Sequence, residues 1–274
     1  GTSAALWLVS ELGFRFGRRH ARRARARAHA AAPDEATLDK NAERKASQAG
    51  LHLAALLGLL GLLLAFSFSI VEARFAARKT LVLDEANAIG TAYLRAGMLP
   101  APQGEAVRAL LRRYVALRTG PKLSPRELPE LLRRSEVLHY QLWQHAEAAA
   151  ARNPESEVTG LFVAALNDVI DLHEERVTTA LYYRLPLSIL GTLYLVALVG
   201  MALLGYNAGL TRSRVLAPTL ATLLVISVVL LLVIELDRPW TRVFRVNQQA
   251  LEDVTQTIEQ SERARDPRAA ARTL

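Results

Sequence analysis

Two groups of polar side chains in this sequence could supply oxygen ligands to a cation. The first group contains Asp84, Glu85 and Asn87, and the second contains Asp168, Asp171 and Glu175. Carboxylate and amide oxygens suit hard cations, and the three- and four-residue spacing of the second group places its members on one helical face. A solvated face paired with Arg176 explains the second group better than a cation site does. We therefore predict no bound metal or other cofactor.

Catalytic motifs are missing from the chain. The sequence has no GxSxG elbow, no phosphate-binding P-loop and no dinucleotide fingerprint, and the HEERV segment at 173–177 lacks the second His of a zinc protease motif. His173 is better explained as a packing residue. The absence of cysteine excludes disulfides, thiolate metal sites and cysteine nucleophiles. We do not expect an enzyme.

The first polar group lies on a helix that begins as a membrane segment. No Pro interrupts residues 61–97, so an apolar stretch can continue directly into a charged amphipathic helix. Such a rod spans ~55 Å, whereas the hydrocarbon core of a bilayer needs only ~30 Å. The second half of this helix must therefore stand outside the membrane. Ala86, Asn87 and Gly90 in it predict a close helix crossing with one buried hydrogen bond.

Amphipathic helices separated by Pro and Gly follow between residues 72 and 184. Two apolar faces are predicted in them: Val107, Leu110, Leu111, Tyr114 and Val115 on one, and Val158, Leu161, Phe162, Ala165, Leu166, Val169 and Ile170 on the other. Gln103, beside Pro102, is expected to be exposed. Because no segment alternates with period two, the fold class is all-α.

Three stretches are long and apolar enough to cross a membrane, at residues 51–71, 185–206 and 215–236. Residues 1–14 resemble the end of a further span whose beginning we expect to be missing. The predicted architecture is thus a multi-pass protein with four spans in two pairs, an extramembrane helical domain at 72–184, and an amphipathic tail at 237–274. In the second pair, Gly200 and Gly205 are expected to pack against Ala217 and Ala221.

The loop at residues 15–50 is rich in arginine. Arg15, Arg18, Arg19, Arg22, Arg23, Arg25 and Arg27 fall within thirteen positions of it. Next to a span, such a cluster indicates a cytoplasmic anchor on anionic lipid rather than a nucleic-acid site, although a nucleic-acid arm would look similar. This places residues 72–184 and the tail outside the cytoplasm.

The far end of the 51–71 span mixes aromatic and hydroxyl side chains, in the order Phe66, Ser67, Phe68, Ser69 and Ile70. Ordinary packing in a helix bundle explains this composition. A hydrophobic constriction in a pore is the alternative, since a ring of apolar side chains can close a channel by excluding water.

Three segments together carry a resemblance to a known family: DEANAIGTAYLRAGMLP, DLHEERVTTALYYRLP before a span, and LDRPWTRVFRV after the last span. They resemble the bacterial membrane proteins often labelled bestrophin-like, and the similarity covers most of residues 51–255. Bestrophins themselves are more remotely similar. Their Gly-Phe and later Arg-Trp-Trp resemble Ala65-Phe66 and Arg74-Phe75, and their acidic-x-Pro-Phe exit resembles Asp237-Arg238-Pro239-Trp240.

The bestrophin resemblance implies a homopentameric ion channel with a hydrophobic neck on the second span. The neck would be lined by Gly58, Leu62, Phe66 and Ile70. The bestrophin Trp pair is absent, and the acidic calcium-binding run is reduced to Glu235 and Asp237, so calcium gating is not expected. Bestrophins keep their large helical domain in the cytoplasm, which opposes the orientation that the arginines favour.

We therefore predict a homo-oligomeric, bestrophin-like channel for small ions in the bacterial inner (plasma) membrane, with no nucleic-acid partner. The alternative is a non-conducting scaffold or sensor whose extramembrane helices bind a partner.

Overall fold

The computed structural model describes residues 2–30, 35–119, 127–211, 216–238 and 246–265, and helices are the only regular elements in these ranges. They are α1 (Thr2–Ala30), α2 (Glu35–Ala96), α3 (Gln103–Thr119), α4 (Leu128–Arg152), α5 (Glu157–Leu181), α6 (Leu187–Thr211), α7 (Leu216–Asp237) and α8 (Gln249–Arg265). The prediction of an all-α fold is confirmed.

Helix α2 runs without a break from the predicted span at 51–71 into the amphipathic segment that follows it. Its 62 residues would extend about 93 Å at 1.5 Å per residue. Among the described residues, three helices have the length and apolar composition to cross a membrane: the Ser47–Ala96 part of α2, α6 and α7. The fourth span predicted at residues 1–14 is not among them. The apolar part of that segment belongs to α1, which continues as a helix through the arginines.

The chain divides into two compact units. The first contains Gly1–Ala73 and Arg184–Arg238, and the second contains Arg74–Tyr183 and Pro239–Leu274. The first unit therefore holds α1, the apolar part of α2, α6 and α7. Its core is formed by leucines from all four helices together with three other apolar side chains: Leu6, Leu60, Leu64, Leu193, Ala197, Met201, Ile226 and Leu230.

Glycines set the closest helix contact in the first unit, between α1 and α6. A Cβ added to Gly13 would lie 2.2 Å from the Ala202 carbonyl oxygen, and one added to Gly205 would lie 1.9 Å from the Ser10 carbonyl oxygen. Only glycine allows two helix backbones to approach so closely. The residue numbers rise together along both helices, because Gly17 in turn meets Gly209. Helices α1 and α6 therefore run parallel.

This contact corrects the predicted packing of the last two spans. Gly205 faces α1 rather than α7, and Gly200 faces Leu56 and Leu57 of α2. Ala217 and Ala221, the partners predicted on α7, are exposed. The error arose because a short connection shows that two helices are antiparallel neighbours, but it does not show which faces meet.

The second unit packs α3, α4, α5 and α8 with the end of α2 around one hydrophobic core. All five residues of the predicted α3 face are buried. On α5 the predicted stripe is correct in its centre, but Val158 and Leu161 are exposed. Val158 lies in the first turn, and Leu161 lies at the edge of the stripe, so neither reaches the core. The tail helix α8 contributes Leu251 and Ile258 to this core, and both are almost fully buried.

Gln103 is buried, contrary to the prediction that it is exposed. It begins α3 with 8% of its surface accessible, and its Oε1 accepts a hydrogen bond of 2.8 Å from Arg152 Nη1. A charged partner from α4 thus compensates for the burial of this amide.

Candidate functional site

The four predicted neck residues form one face of the membrane segment of α2. Gly58, Leu62, Phe66 and Ile70 follow at four-residue intervals, and Leu62, Phe66 and Ile70 are 53%, 60% and 40% exposed. A Cβ added to Gly58 would meet no atom within 4 Å. The opposite side of the helix carries Leu60 and Leu64, which are buried in the core. The chain therefore presents an uncovered apolar face.

The aromatic and hydroxyl side chains at the end of this face point in different directions. Ser67 is 4% exposed, and its hydroxyl donates a 2.8 Å hydrogen bond to the Leu63 carbonyl oxygen. Phe66 points outward, and Phe68 is only marginally exposed at 36%. Ser67 therefore faces inward, whereas Ser69 is exposed and adds one hydroxyl group to the otherwise apolar face.

A groove in the second unit brings five of the six predicted polar candidates together. Its volume is about 440 Å³, and it lies between the outer part of α2 and α5. The predicted residues that line it are Asp84, Asn87, Asp168, Asp171 and Glu175. Thr91 and Arg95 complete its polar wall. The three α5 carboxylates thus share one helical face, as predicted.

The groove is wide and solvated rather than a tight ligand cage. Asp171 accepts a 2.6 Å hydrogen bond from Asn167 of its own helix. Within the described ranges, no group of three or more His, Asp or Glu side chains is arranged to hold a metal ion. The predicted solvated face is observed, because Asp168, Asp171 and Glu175 are all exposed. The predicted pairing of this face with Arg176 is wrong, since Arg176 binds Glu85.

Glu85 does not join its sequence neighbour Asp84 in the groove. It is fully buried, whereas Asn87, for which a buried hydrogen bond was predicted, is exposed. Gly90 contacts α8 through a side chain: a Cβ added to it would lie 3.3 Å from Val254 Cγ2. The buried hydrogen bonds at this level of α2 belong to Glu85.

Glu85 is the centre of a buried polar network. Its Oε1 accepts hydrogen bonds from Arg118 Nε at 2.9 Å and from the Tyr114 hydroxyl at 2.8 Å. Its Oε2 accepts from Arg118 Nη2 at 3.3 Å and from Arg176 Nη1. Arg176 Nη2 also donates to Gln248 Oε1 at 2.5 Å. One carboxylate thus connects α2, α3 and α5 with the segment that precedes α8.

The two arginines keep Glu85 ionised. Burial by itself raises the pKa of a carboxyl group, but the charges of Arg118 and Arg176 and the hydrogen bond from Tyr114 outweigh it. The pKa of Glu85 is lowered to about 2. Burial and the Glu85 charge together raise the pKa of Tyr114 well above its usual value. The phenol therefore stays protonated and can donate to the carboxylate.

Two buried histidines extend the network toward α4. His173 Nδ1 lies 3.1 Å from the Tyr114 oxygen, and the His139 ring packs with its centroid 4.8 Å from each of the Tyr114 and His173 rings. Burial lowers the pKa of His139 to about 4 and that of His173 to about 3. Both are neutral at pH 7. His173 is a packing residue, as the sequence predicted.

The sequence contains a signal for this network. Glu85 and Arg118 each stand on an otherwise apolar helix face, Glu85 next to Ala86 and Arg118 one turn after Tyr114. A charged side chain on a buried face must have a partner, because an unpaired buried charge is too costly. Opposite charges on two such faces therefore predict an ion pair.

The acidic residue that follows the last span has a structural role in the first unit. Asp237 is buried at the end of α7, and its Oδ1 accepts a 2.8 Å hydrogen bond from the Leu185 backbone nitrogen, just before α6. This hydrogen bond joins the end of α7 to the residues that precede α6. Pro239 and Trp240, the rest of that motif, lie outside the described residues.

A comparison with protein families places this chain. A family model described as the Bestrophin-like domain matches residues 26–251. No match was found among curated proteins or among solved structures. The matched region covers more than half of the chain and includes the apolar face of α2, the acidic groove and the Glu85 network. The chain therefore belongs to the bestrophin-like family.

Proposed function

We propose that this protein is a homo-oligomeric ion channel whose pore is closed by the apolar face of α2. The observation that carries the proposal is the uncovered row of Gly58, Leu62, Phe66 and Ile70 on a membrane-spanning helix of a bestrophin-like chain. When copies of the chain surround an axis, this row forms stacked apolar rings. Such rings can block ions by excluding water from the constriction.

Phe66 provides the main constriction in this proposal. It has the largest side chain in the row and is 60% exposed in the protomer. Gly58, at one end of the row, has no side chain and leaves the widest opening. The neck thus narrows from Gly58 toward Phe66. Its walls carry no charge, so ion selectivity is set elsewhere along the path.

The channel requires an oligomer, and the family resemblance favours a pentamer. Five chains of 30.1 kDa give a protein mass of about 150 kDa, which multi-angle light scattering in detergent can separate from the monomer. A monomer at every concentration would contradict the channel proposal.

Reconstitution into planar bilayers tests conduction directly. We expect wild-type protein to conduct small ions and Phe66→Ala to raise conductance or open probability, because a smaller side chain widens the neck and lets water enter. Phe16→Ala is a matched control, since Phe16 is 66% exposed in the same unit but lies on α1.

The outcome of this test also decides between the channel and a scaffold. If neither wild type nor Phe66→Ala conducts at either polarity across a range of pH and calcium, the channel proposal fails. A non-conducting scaffold or sensor would then be the better proposal, and the groove between α2 and α5 its candidate partner site.

We further propose that this protein lies in the bacterial inner (plasma) membrane and that its arginine-rich segment faces the cytoplasm. Because α1 and α6 run parallel, the arginine-bearing end of α1 lies on the same side of the membrane as the end of α6, and the sequence that follows α6 also contains two arginines, Arg212 and Arg214. Both groups then satisfy the rule that cytoplasmic loops are basic. Residues 72–184 lie on the other side in this orientation.

A further inference from the structure

The extension of α1 carries a row of exposed arginines at the end of the first unit. Arg18, Arg19, Arg22 and Arg23 are all exposed, and none of them makes an ion pair within the part of the chain that the structure describes. Their spacing places Arg18 beside Arg22 and Arg19 beside Arg23 on the helix surface. We call these four residues the arginine face.

The contact between α1 and α6 fixes the depth of the arginine face. A Cβ added to Gly209 would lie 2.8 Å from the Arg18 backbone nitrogen, so Arg18 is level with the last residues of α6, which ends at Thr211. Arg22 and Arg23 are four and five residues farther along, ~6 to 7.5 Å at 1.5 Å per residue. This equals the thickness of one headgroup layer, ~5 to 7.5 Å.

Aromatic side chains mark the same level. The Tyr206 ring of α6 lies 6.1 Å from the Phe16 ring and 6.2 Å from the His20 ring of α1, measured between centroids. Aromatic residues with a polar edge collect where the hydrocarbon core meets the headgroups. The arginine face begins at this aromatic cluster and extends away from the core of the unit.

The arginines repel one another unless anions lie between them. Like charges four residues apart on a helix are unfavourable, and the described structure offers them no carboxylate. A guanidinium group binds phosphate oxygens through paired, charge-assisted hydrogen bonds. The small residues on the opposite side of α1, such as the buried Gly17, are used for packing against α6.

We propose that the arginine face is a binding site for the headgroups of anionic phospholipids in the leaflet that α1 enters. The charge of the face matches the lipid phosphates, and the position of α1 against α6 holds the guanidinium groups at their depth. Lipid binding at this site does not require ion conduction, so it can be tested separately from the channel proposal.

Native mass spectrometry of the detergent-purified protein can test this proposal. Phosphatidylglycerol and phosphatidylcholine with identical acyl chains are added in equal amounts. We expect wild type to retain phosphatidylglycerol preferentially. The double variant Arg18→Gln/Arg22→Gln should bind it about thirtyfold more weakly, since each basic residue near an anionic surface strengthens binding about fivefold. Arg18→Lys/Arg22→Lys keeps the charge and should retain most of the binding.

The matched control is Arg133→Gln/Arg134→Gln, which removes two exposed arginines from α4 of the second unit. It should bind phosphatidylglycerol like wild type. Equal retention of both lipids by wild type, or an equal loss in the control, would overturn the proposal. If the glutamine variant cannot be purified, wild-type binding that does not weaken between about 0.05 and 0.5 M salt would also overturn it.

Two competitors distinguish the source of the phosphate. Inorganic phosphate and a short DNA duplex are each added at the concentration of the lipid. Neither should displace phosphatidylglycerol, because neither is held at the depth of the face by acyl chains. Displacement by the duplex would assign the arginine face to nucleic acid, and displacement by phosphate to a general anion site.

Discussion

Replacing Glu85 with Gln should destabilise the second unit strongly. The substitution keeps the shape of the side chain but removes the charge that faces Arg118 and Arg176. Glu85 is 0% exposed, and the side chains of these arginines are 8% and 18% exposed. The variant therefore leaves two guanidinium groups with little access to water and no counter-charge.

Two arguments give a similar magnitude. The pKa of Glu85 falls from 4.5 to about 2, and at 1.36 kcal/mol per pKa unit this difference corresponds to about 3 kcal/mol of folding free energy. Removing one partner of a buried ion pair typically costs about 3 to 5 kcal/mol. We adopt the lower figure, about 3 kcal/mol, which corresponds to roughly a hundredfold change in an opening equilibrium.

Hydrogen exchange followed by mass spectrometry can measure this change in the intact protein. Amides in the middle of α3 and α5 exchange through opening of the second unit, so their exchange should become about a hundredfold faster in Glu85→Gln. Amides of α6 belong to the other unit and should be unchanged. Glu130→Gln is the control, because Glu130 pairs with Arg133 on the exposed surface of α4.

Acid provides a second test of the same reasoning. A carboxyl group whose pKa is lowered by folding contributes stability above its unfolded pKa, and this contribution disappears as the pH falls through the folded pKa. The difference between wild type and Glu85→Gln should therefore be constant above pH 4.5 and shrink toward pH 2.

Protonation of the two histidines should reduce the stability of both proteins at a higher pH than protonation of Glu85 does. The lowered pKa values of His139 and His173 mean that folding opposes their protonation, so both proteins should lose stability as the pH falls below 6.5. Exchange rates in Glu85→Gln within threefold of wild type at pH 7, or a gap between the two proteins that widens in acid, would refute the assigned role of Glu85.

Two further predictions concern the membrane unit and its orientation. Gly205→Ala should lower the thermal midpoint in detergent by several degrees, because its Cβ would lie 1.9 Å from the Ser10 carbonyl oxygen. Gly191→Ala, where a Cβ meets nothing within 4 Å, should not, and an equal effect of both would contradict the α1 and α6 contact. Tyr140→Cys adds one thiol to a cysteine-free chain at a side chain that is 67% exposed. We expect a membrane-impermeant thiol reagent to label it on intact cells, whereas labelling only after lysis would place the second unit in the cytoplasm.

The membrane segments and the apolar helix faces could be predicted from the sequence because both are local properties. Twenty apolar residues without charge favour a span wherever they occur, and a period of 3.6 residues defines a face before any partner is known. The uninterrupted α2 was predictable for the same reason, since Pro is the usual cause of a break. Each of these features depends on residues within one or two helical turns.

The partners of these faces could not be read from the chain. Asp84 and Glu85 are adjacent, yet a rotation of 100° sends one to a solvated groove and the other to a buried ion pair. Gly205 was correctly identified as a site of close contact, but its contact lies almost two hundred residues away on α1.

The sequence by itself therefore determined that this is an all-helical membrane protein with a long helix common to both parts, and its motifs pointed to the family. Only the tertiary structure decided that Glu85 joins three helices, that α8 completes the core of the second unit, and that the arginine face stands level with the end of α6. The physical reason is that contacts between distant segments depend on how the helices pack together, which local patterns of charge and hydrophobicity do not specify.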